Sequence, residues 1–108
     1  MATPLAPNVN GISVLEGPFT FTHKAALQAA VNLKASPAFL HAVSINSKGA
    51  TSNILTLYDD ALGGTTNPIC VIDTTSLVTT LFFDIATVNG LGYALAAGTA
   101  ADITIIWV

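Results

Sequence analysis

At 108 residues, with 52% hydrophobic and only 8% charged side chains, the chain is long enough for one core but far below the roughly 25% charge usual in soluble domains. Three lysines, no arginine and six acids give a formal net charge of −3, so there is no basic stripe to meet phosphates and nucleic acid is not an expected partner. Eight valines, nine isoleucines and fourteen threonines stiffen the chain at χ1 and favour strands over helices. Residues 1–22 differ from the rest. Pro4, Pro7 and Pro18 recur among Asn8, Asn10, Gly11 and Gly17, and proline removes donors and fixes φ, which predicts an extended N-terminal arm. Leu5, Ile12, Leu15, Phe19 and Phe21 make this arm too apolar for a solvated tail, and they are the residues expected to bind a partner.

Residues 25–34 are ambiguous. Their alanines suit a helix, yet Leu27, Ala29, Val31 and Leu33 alternate with period two, and the turn at Ala35-Ser36-Pro37 tips the segment toward a strand. In residues 39–46, Phe39, His41, Val43 and Ile45 would share one face and Leu40, Ala42, Ser44 and Asn46 the other. Ser47-Lys48-Gly49-Ala50 reads as a turn joining this strand in a hairpin to residues 53–59, with Gly49 supplying permissive φ. Residues 59–68 form the clearest loop, with two acids, two glycines and Pro68, ahead of a strand over 69–73. Leu81-Phe82-Phe83-Asp84-Ile85 is apolar on both faces except at Asp84, and Asn89-Gly90 predicts a tight turn before Leu91, Tyr93 and Leu95. In the last strand Ile103, Ile105 and Trp107 alternate with Thr104 and Ile106. A free edge of that apolarity would aggregate, so it should lie inside a sheet or pair with another subunit.

About seven short strands with regular turns predict an all-β fold, a single antiparallel β-sandwich of jelly-roll type over residues 23–108, preceded by the arm. No secretory leader or membrane span is expected: the first twenty residues lack a basic start and a continuous apolar core. The longest uncharged interval, 85–101, is interrupted by Asn89 and three glycines.

Chemistry-bearing patterns are sparse. Cys70 lies in an apolar run, the setting of a buried small side chain rather than an activated thiolate. His23 and His41 are the two histidines, and no nucleophile elbow, Cys-x-x-Cys or His-x-x-x-His spacing occurs, so no catalytic, cofactor or metal residues are expected. Asp59 and Asp60 ahead of Gly63-Gly64 could offer oxygens to Ca²⁺, but the acid order of an EF-hand is missing and turn initiation explains them equally well. Asp73, Asp84 and Asp102 near strand ends suit turn capping or edge protection. Tyr58, Tyr93 and Trp107 are the aromatics that a lectin-like, glycan-binding module would use, although alternating apolar strands more often bury them.

The order of Ala-Ser-Pro-Ala-Phe-Leu-His-Ala-Val-Ser-Ile-Asn-Ser-Lys-Gly-Ala (35–50), Ile-Leu-Thr-Leu-Tyr-Asp-Asp (54–60), Ile-Asp-Thr-Thr (72–75), Asn-Gly-Leu (89–91) and Gly-Thr-Ala-Ala-Asp-Ile-Thr-Ile (98–105) resembles small β-sandwich structural proteins of tailed-bacteriophage virions. The resemblance covers residues 35–108 and implies a non-enzymatic component of the capsid surface or the tail. Its favoured form is a head decoration, or cement, protein made in the host cytoplasm and placed on the virion. Its expected partners are the major capsid protein and copies of itself, a trimer by analogy with proteins that sit at local threefold positions. A tail, neck or fibre-tip component is the alternative within virions, and the glycan-binding module is the alternative outside that class.

Overall fold

The computed structural model describes residues 18–108, which form eight strands and no helix. The strands are β1 (Thr20–Lys24), β2 (Gln28–Lys34), β3 (Phe39–Ser47), β4 (Ile54–Tyr58), β5 (Pro68–Asp73), β6 (Thr79–Ala86), β7 (Leu91–Ala96) and β8 (Asp102–Trp107). They build two four-stranded antiparallel sheets, ordered β1-β8-β3-β6 and β2-β7-β4-β5. The pairs β1·β8, β2·β7, β3·β6 and β4·β5 nest around the single β4–β5 hairpin, and successive pairs alternate between the sheets. Two closing pairings, β3·β8 and β4·β7, complete the eight-stranded double Greek key of a jelly roll. The expected sandwich and its jelly-roll topology are therefore both present.

The core lies between the sheets. Leu40, Val43, Ile45, Ile103 and Ile105 project from one sheet, and Leu55, Leu57, Ile72, Leu91, Tyr93 and Leu95 from the other. Period-two alternation carries this in most strands: Leu55 and Leu57 are buried between half-buried Ile54, Thr56 and Tyr58, and Ile103 and Ile105 between Asp102, Thr104 and Ile106. As expected, the apolar terminal strand is not an edge, because β8 is hydrogen-bonded to β1 on one side and β3 on the other.

Four expectations change. The arm was placed over residues 1–22, but Thr20, Phe21 and Thr22 pair with Trp107, Ile106 and Ile105 in an eighth strand, β1. The prolines that suggest an arm stop at Pro18, and the alternating Thr-Phe-Thr that follows is free to pair. Strand β3 does not keep one register. Its pairing shifts between Leu40 and Ala42 against both neighbours, so the core side chains are Leu40, then Val43 and Ile45, while His41 turns to the outer side. Residues 39–46 and 53–59 do not form a hairpin, because β3 and β4 lie in different sheets. Gly49 is needed for space rather than for φ: a Cβ there would lie 2.6 Å from both Asn53 Oδ1 and Thr74 Oγ1. The left-handed residues of that connection are Thr51 and Ser52. The turn expected at Asn89-Gly90 is present and carries the chain from one sheet to the other. The ambiguous residues 28–34 are strand β2.

Candidate interaction surface

Every second residue of β1, β8, β3 and β6 points away from the core, and the outer face so formed is divided in two along the strands. One cross-strand row is Phe21, Ile106, Ala42 and Phe82, entirely apolar, fixed by the pairs Phe21↔Ile106, Ala42↔Ile106 and Ala42↔Phe82. Phe21 and Phe82, at its two ends, are each 68% exposed. Beyond this row and the His41–Asp84 pair, Val108 and Phe39 exchange both backbone hydrogen bonds, and Phe39 pairs with Ala86, so apolar residues resume at the end of the sheet. On the other side the next row is His23, Thr104, Ser44 and Thr80, which is polar throughout.

The polar half is tied together by side chains. Thr80 donates to Ser44, Ser44 to Asn46, and the Asn46 amide to both Asp102 and Thr104. His23 Nε2 lies 2.7 Å from Asp102. The Asn46 amide and then His23 hold the Asp102 carboxyl below its ordinary value. Inside the apolar half, between Phe39 and the Ala42 row, His41 is stacked on Phe19 at 4.6 Å, meets Phe82 edge-on and is hydrogen-bonded through Nδ1 to Asp84. Asp84 adopts φ +51°, and this kink in edge strand β6 faces the register shift that turns His41 outward.

Of the five residues expected to bind a partner, Leu5, Ile12 and Leu15 lie outside the described residues. Phe19 and Phe21 are on this outer face. Phe39, Phe82 and Ile106 join them, and sequence reasoning did not single these out. The Phe82-Phe83 pair leaves open which phenylalanine faces the core. Sheet order, which places Phe82 level with Ala42 and Phe21, has no local sequence signal.

The remaining candidates resolve into structural roles. Asp59 accepts from the backbone N–H groups of Val88, Asn89 and Gly90, pinning the β6–β7 connection to the β4–β5 loop. Asp60 accepts from Leu62 N–H, Gly64 N–H and the Thr66 hydroxyl. Donors thus present their positive ends to both carboxylates, an environment opposed to a bound cation, and Ca²⁺ gains no support from this loop. No group of three or more His, Cys, Asp or Glu side chains among the described residues is placed to hold a metal. Cys70 packs against the core, and burial pushes its thiol up to about 11, away from thiolate chemistry. Tyr93 is a core residue, and Trp107 packs on the core while donating to the Thr22 hydroxyl at 2.9 Å. Only Tyr58 of the three aromatics lies on an outer face, that of the other sheet, so they make no common stacking platform.

Four carboxylates respond to acid in the same direction. Burial raises Asp59, but its three backbone donors outweigh that and leave it lowered. Asp60 is lowered chiefly by Thr66, Asp73 by Thr75 and Asp102 by Asn46. A carboxylate depressed in the folded state stabilises it above the unfolded value of about 3.9, and that contribution disappears as the pH falls through the folded values. The thermal midpoint is therefore expected to drop between about pH 4 and pH 2, followed by circular dichroism. An unchanged midpoint down to pH 2 would remove these hydrogen bonds from the account of stability.

Compared with known protein families, curated proteins and solved structures, the chain matches none.

Proposed function

We propose that this protein is a non-enzymatic structural component of a bacteriophage virion, a capsid decoration or cement protein that bridges neighbouring major capsid subunits on the head surface. The observation that carries this reading is the apolar half of the outer β1-β8-β3-β6 face, with Phe21 and Phe82 largely exposed in a chain that has only nine charged residues. A surface so poor in charge gains little colloidal protection, and large apolar side chains exposed on one face mark a contact with another macromolecule. A jelly roll supplies a rigid slab for that purpose, because its core is sealed between the sheets and an outer face can be given over to contacts. Binding only to the assembled shell, the protein would stabilise that shell by mass action. Copies of itself, as a trimer, complete the proposed assembly.

The decisive experiment adds purified protein to particles that lack it and follows co-sedimentation and the temperature of shell rupture. Saturable binding at a fixed ratio to the capsid protein, with a raised rupture temperature, is the expected result. Replacing Phe82 by Ser should lower occupancy at least tenfold, which corresponds to about 1.4 kcal/mol, within the range for removing a buried aromatic contact. Attachment confined to the tail would move the protein to another part of the virion. Failure to bind any part of the particle would reject the reading.

A further inference from the structure

The β6–β7 connection holds chemistry that needs no partner. The chain has two Asn-Gly dipeptides, at 10–11 and 89–90, and the second lies among the described residues. In such a pair the glycine nitrogen can attack the asparagine side chain, because glycine has no Cβ to obstruct the approach. The attack joins the Gly90 nitrogen to Cγ of Asn89 and breaks the Cγ–Nδ2 bond, closing a succinimide ring. The amide proton passes to the departing nitrogen, which leaves as ammonia. Water then opens the ring at either carbonyl, so aspartate or isoaspartate replaces the asparagine at the cost of one water. Asn89 is exposed and borders a pocket of about 220 Å³ with Asp59, Asp60 and Thr66, where water can reach it. Gly90 is buried, and a Cβ there would lie 2.6 Å from the Lys34 carbonyl oxygen and 2.8 Å from Ala61 Cα, so packing requires glycine at this position.

We propose that Asn89-Gly90 is a succinimide-forming modification site and that the Asp59 carboxylate holds it shut in the folded protein. Asp59 Oδ1 accepts from Asn89 N–H at 2.7 Å and Gly90 N–H at 3.2 Å, and Oδ2 accepts from Val88 N–H at 2.9 Å. The attacking group is the Gly90 amide after loss of its proton, and a fixed negative charge against that N–H opposes the loss. Burial raises the Asp59 carboxyl, but the three donors outweigh it and leave a base too weak to take the proton itself. Three successive amides on one carboxylate also fix the backbone over residues 88–90, whereas the attack requires ψ of Asn89 to turn until the Gly90 nitrogen meets Cγ. Gly90, wedged against the backbone of Lys34, Asp60 and Ala61, cannot follow that rotation. The products show what the guard prevents. Isoaspartate would add a carbon to the main chain of this connection, and either product would set a third carboxylate beside Asp59 and Asp60, where like charges repel. The site is a property of the chain itself, whatever the protein binds.

The test keeps the full chain in mildly alkaline buffer and follows Asn89 by peptide mass mapping, which separates it from Asn10-Gly11. Conversion at Asn89 in the folded chain should be at least about tenfold slower than in the same chain unfolded in urea, equivalent to about 1.4 kcal/mol of local opening. Asp59→Ala, shown to be folded by its dichroism, should restore most of the unfolded rate. Asn53→Ala controls for general loosening, because it removes buried hydrogen bonds at the opposite end of the sandwich and leaves Asp59 in place. Its conversion at Asn89 should stay near the wild-type rate. Equal conversion in folded and unfolded chains, no acceleration in Asp59→Ala, or equal acceleration in Asn53→Ala would each overturn the proposal. Amide exchange in the wild-type chain is a second measurement that needs no variant, since base-catalysed exchange at Gly90 passes through the same deprotonated amide. Gly90 should exchange many-fold more slowly than in the unfolded chain, and an unprotected Gly90 would overturn the proposal even if Asp59→Ala does not fold.

Discussion

Removing residues 103–108 is expected to leave no folded protein. Among the described residues strand β8 is the only partner of β1 and one of two partners of β3, so its loss strips β1 of that ladder and turns β3 into an exposed flank. Ile103 and Ile105 are fully buried, and each contributes about 1.5–3 kcal/mol through burial alone. Trp107 packs on the same core and ties β8 to Thr22. Together with the lost backbone pairing, these terms rival the whole of the roughly 5–15 kcal/mol by which domains are stable. The truncated chain should show no cooperative thermal transition by circular dichroism and should appear in the insoluble fraction. A cooperative transition at an unchanged temperature would mean that β8 is dispensable. By contrast, replacing the outward-facing Ile106 with Thr should preserve folding, because its backbone still pairs and the core is untouched.

That prediction was within reach of the sequence, and its reasons explain how much of the rest was. Alternation of Ile103, Ile105 and Trp107 with Thr104 and Ile106 reports burial directly, because side chains on a strand have a period of two. The loop over residues 59–67 was equally plain from its acids, glycines and proline, and it closes the fold's one hairpin. Sheet assignment was not legible. A turn that closes a hairpin and a turn that crosses between sheets both use Gly, Asn and Ser, so the connection at residues 48–53 reads as a hairpin although it joins different sheets, and the turn at 89–90 does not reveal that it crosses between them. The register shift at His41 was hidden for a related reason. It is set by how β3 meets β6 and β8, and a local alternation pattern contains no information about neighbours. For the interaction surface, Phe19 and Phe21 stood out among prolines and glycines. Phe39, Phe82 and Ile106 join them only through pairing across four strands.

Asn53 is the clearest case of a residue the sequence did not single out, and its replacement by Ala should be among the most damaging single substitutions. It is fully buried at the end of the sandwich opposite the Asp59 loop, just before β4. Its amide nitrogen donates to the Ala97 carbonyl at 2.9 Å, and its Oδ1 accepts from Ala101 N–H at 3.1 Å and from the Thr74 hydroxyl at 2.6 Å. One side chain thus joins the β3–β4, β5–β6 and β7–β8 connections, and the close approach of Gly49 leaves no room for a larger replacement. Alanine would strand the Ala97 carbonyl and the Ala101 N–H, while the Thr74 hydroxyl keeps the Asn53 backbone carbonyl as an acceptor. The buried Ala101 N–H left unpaired costs about 1–3 kcal/mol, and the exposed Ala97 carbonyl loses a hydrogen bond worth about 0.5–1.5 kcal/mol, a loss of about 1.5–4.5 kcal/mol. At about 4–8 °C per kcal/mol for a domain of this size, the thermal midpoint should fall by at least about 6 °C. The core side chains are unchanged, so the loss should appear in the midpoint and in faster amide exchange at Ala101, with the β-sheet dichroism retained at low temperature. A shift smaller than about 4 °C would show that the three connections are held by their own backbone contacts and not by Asn53.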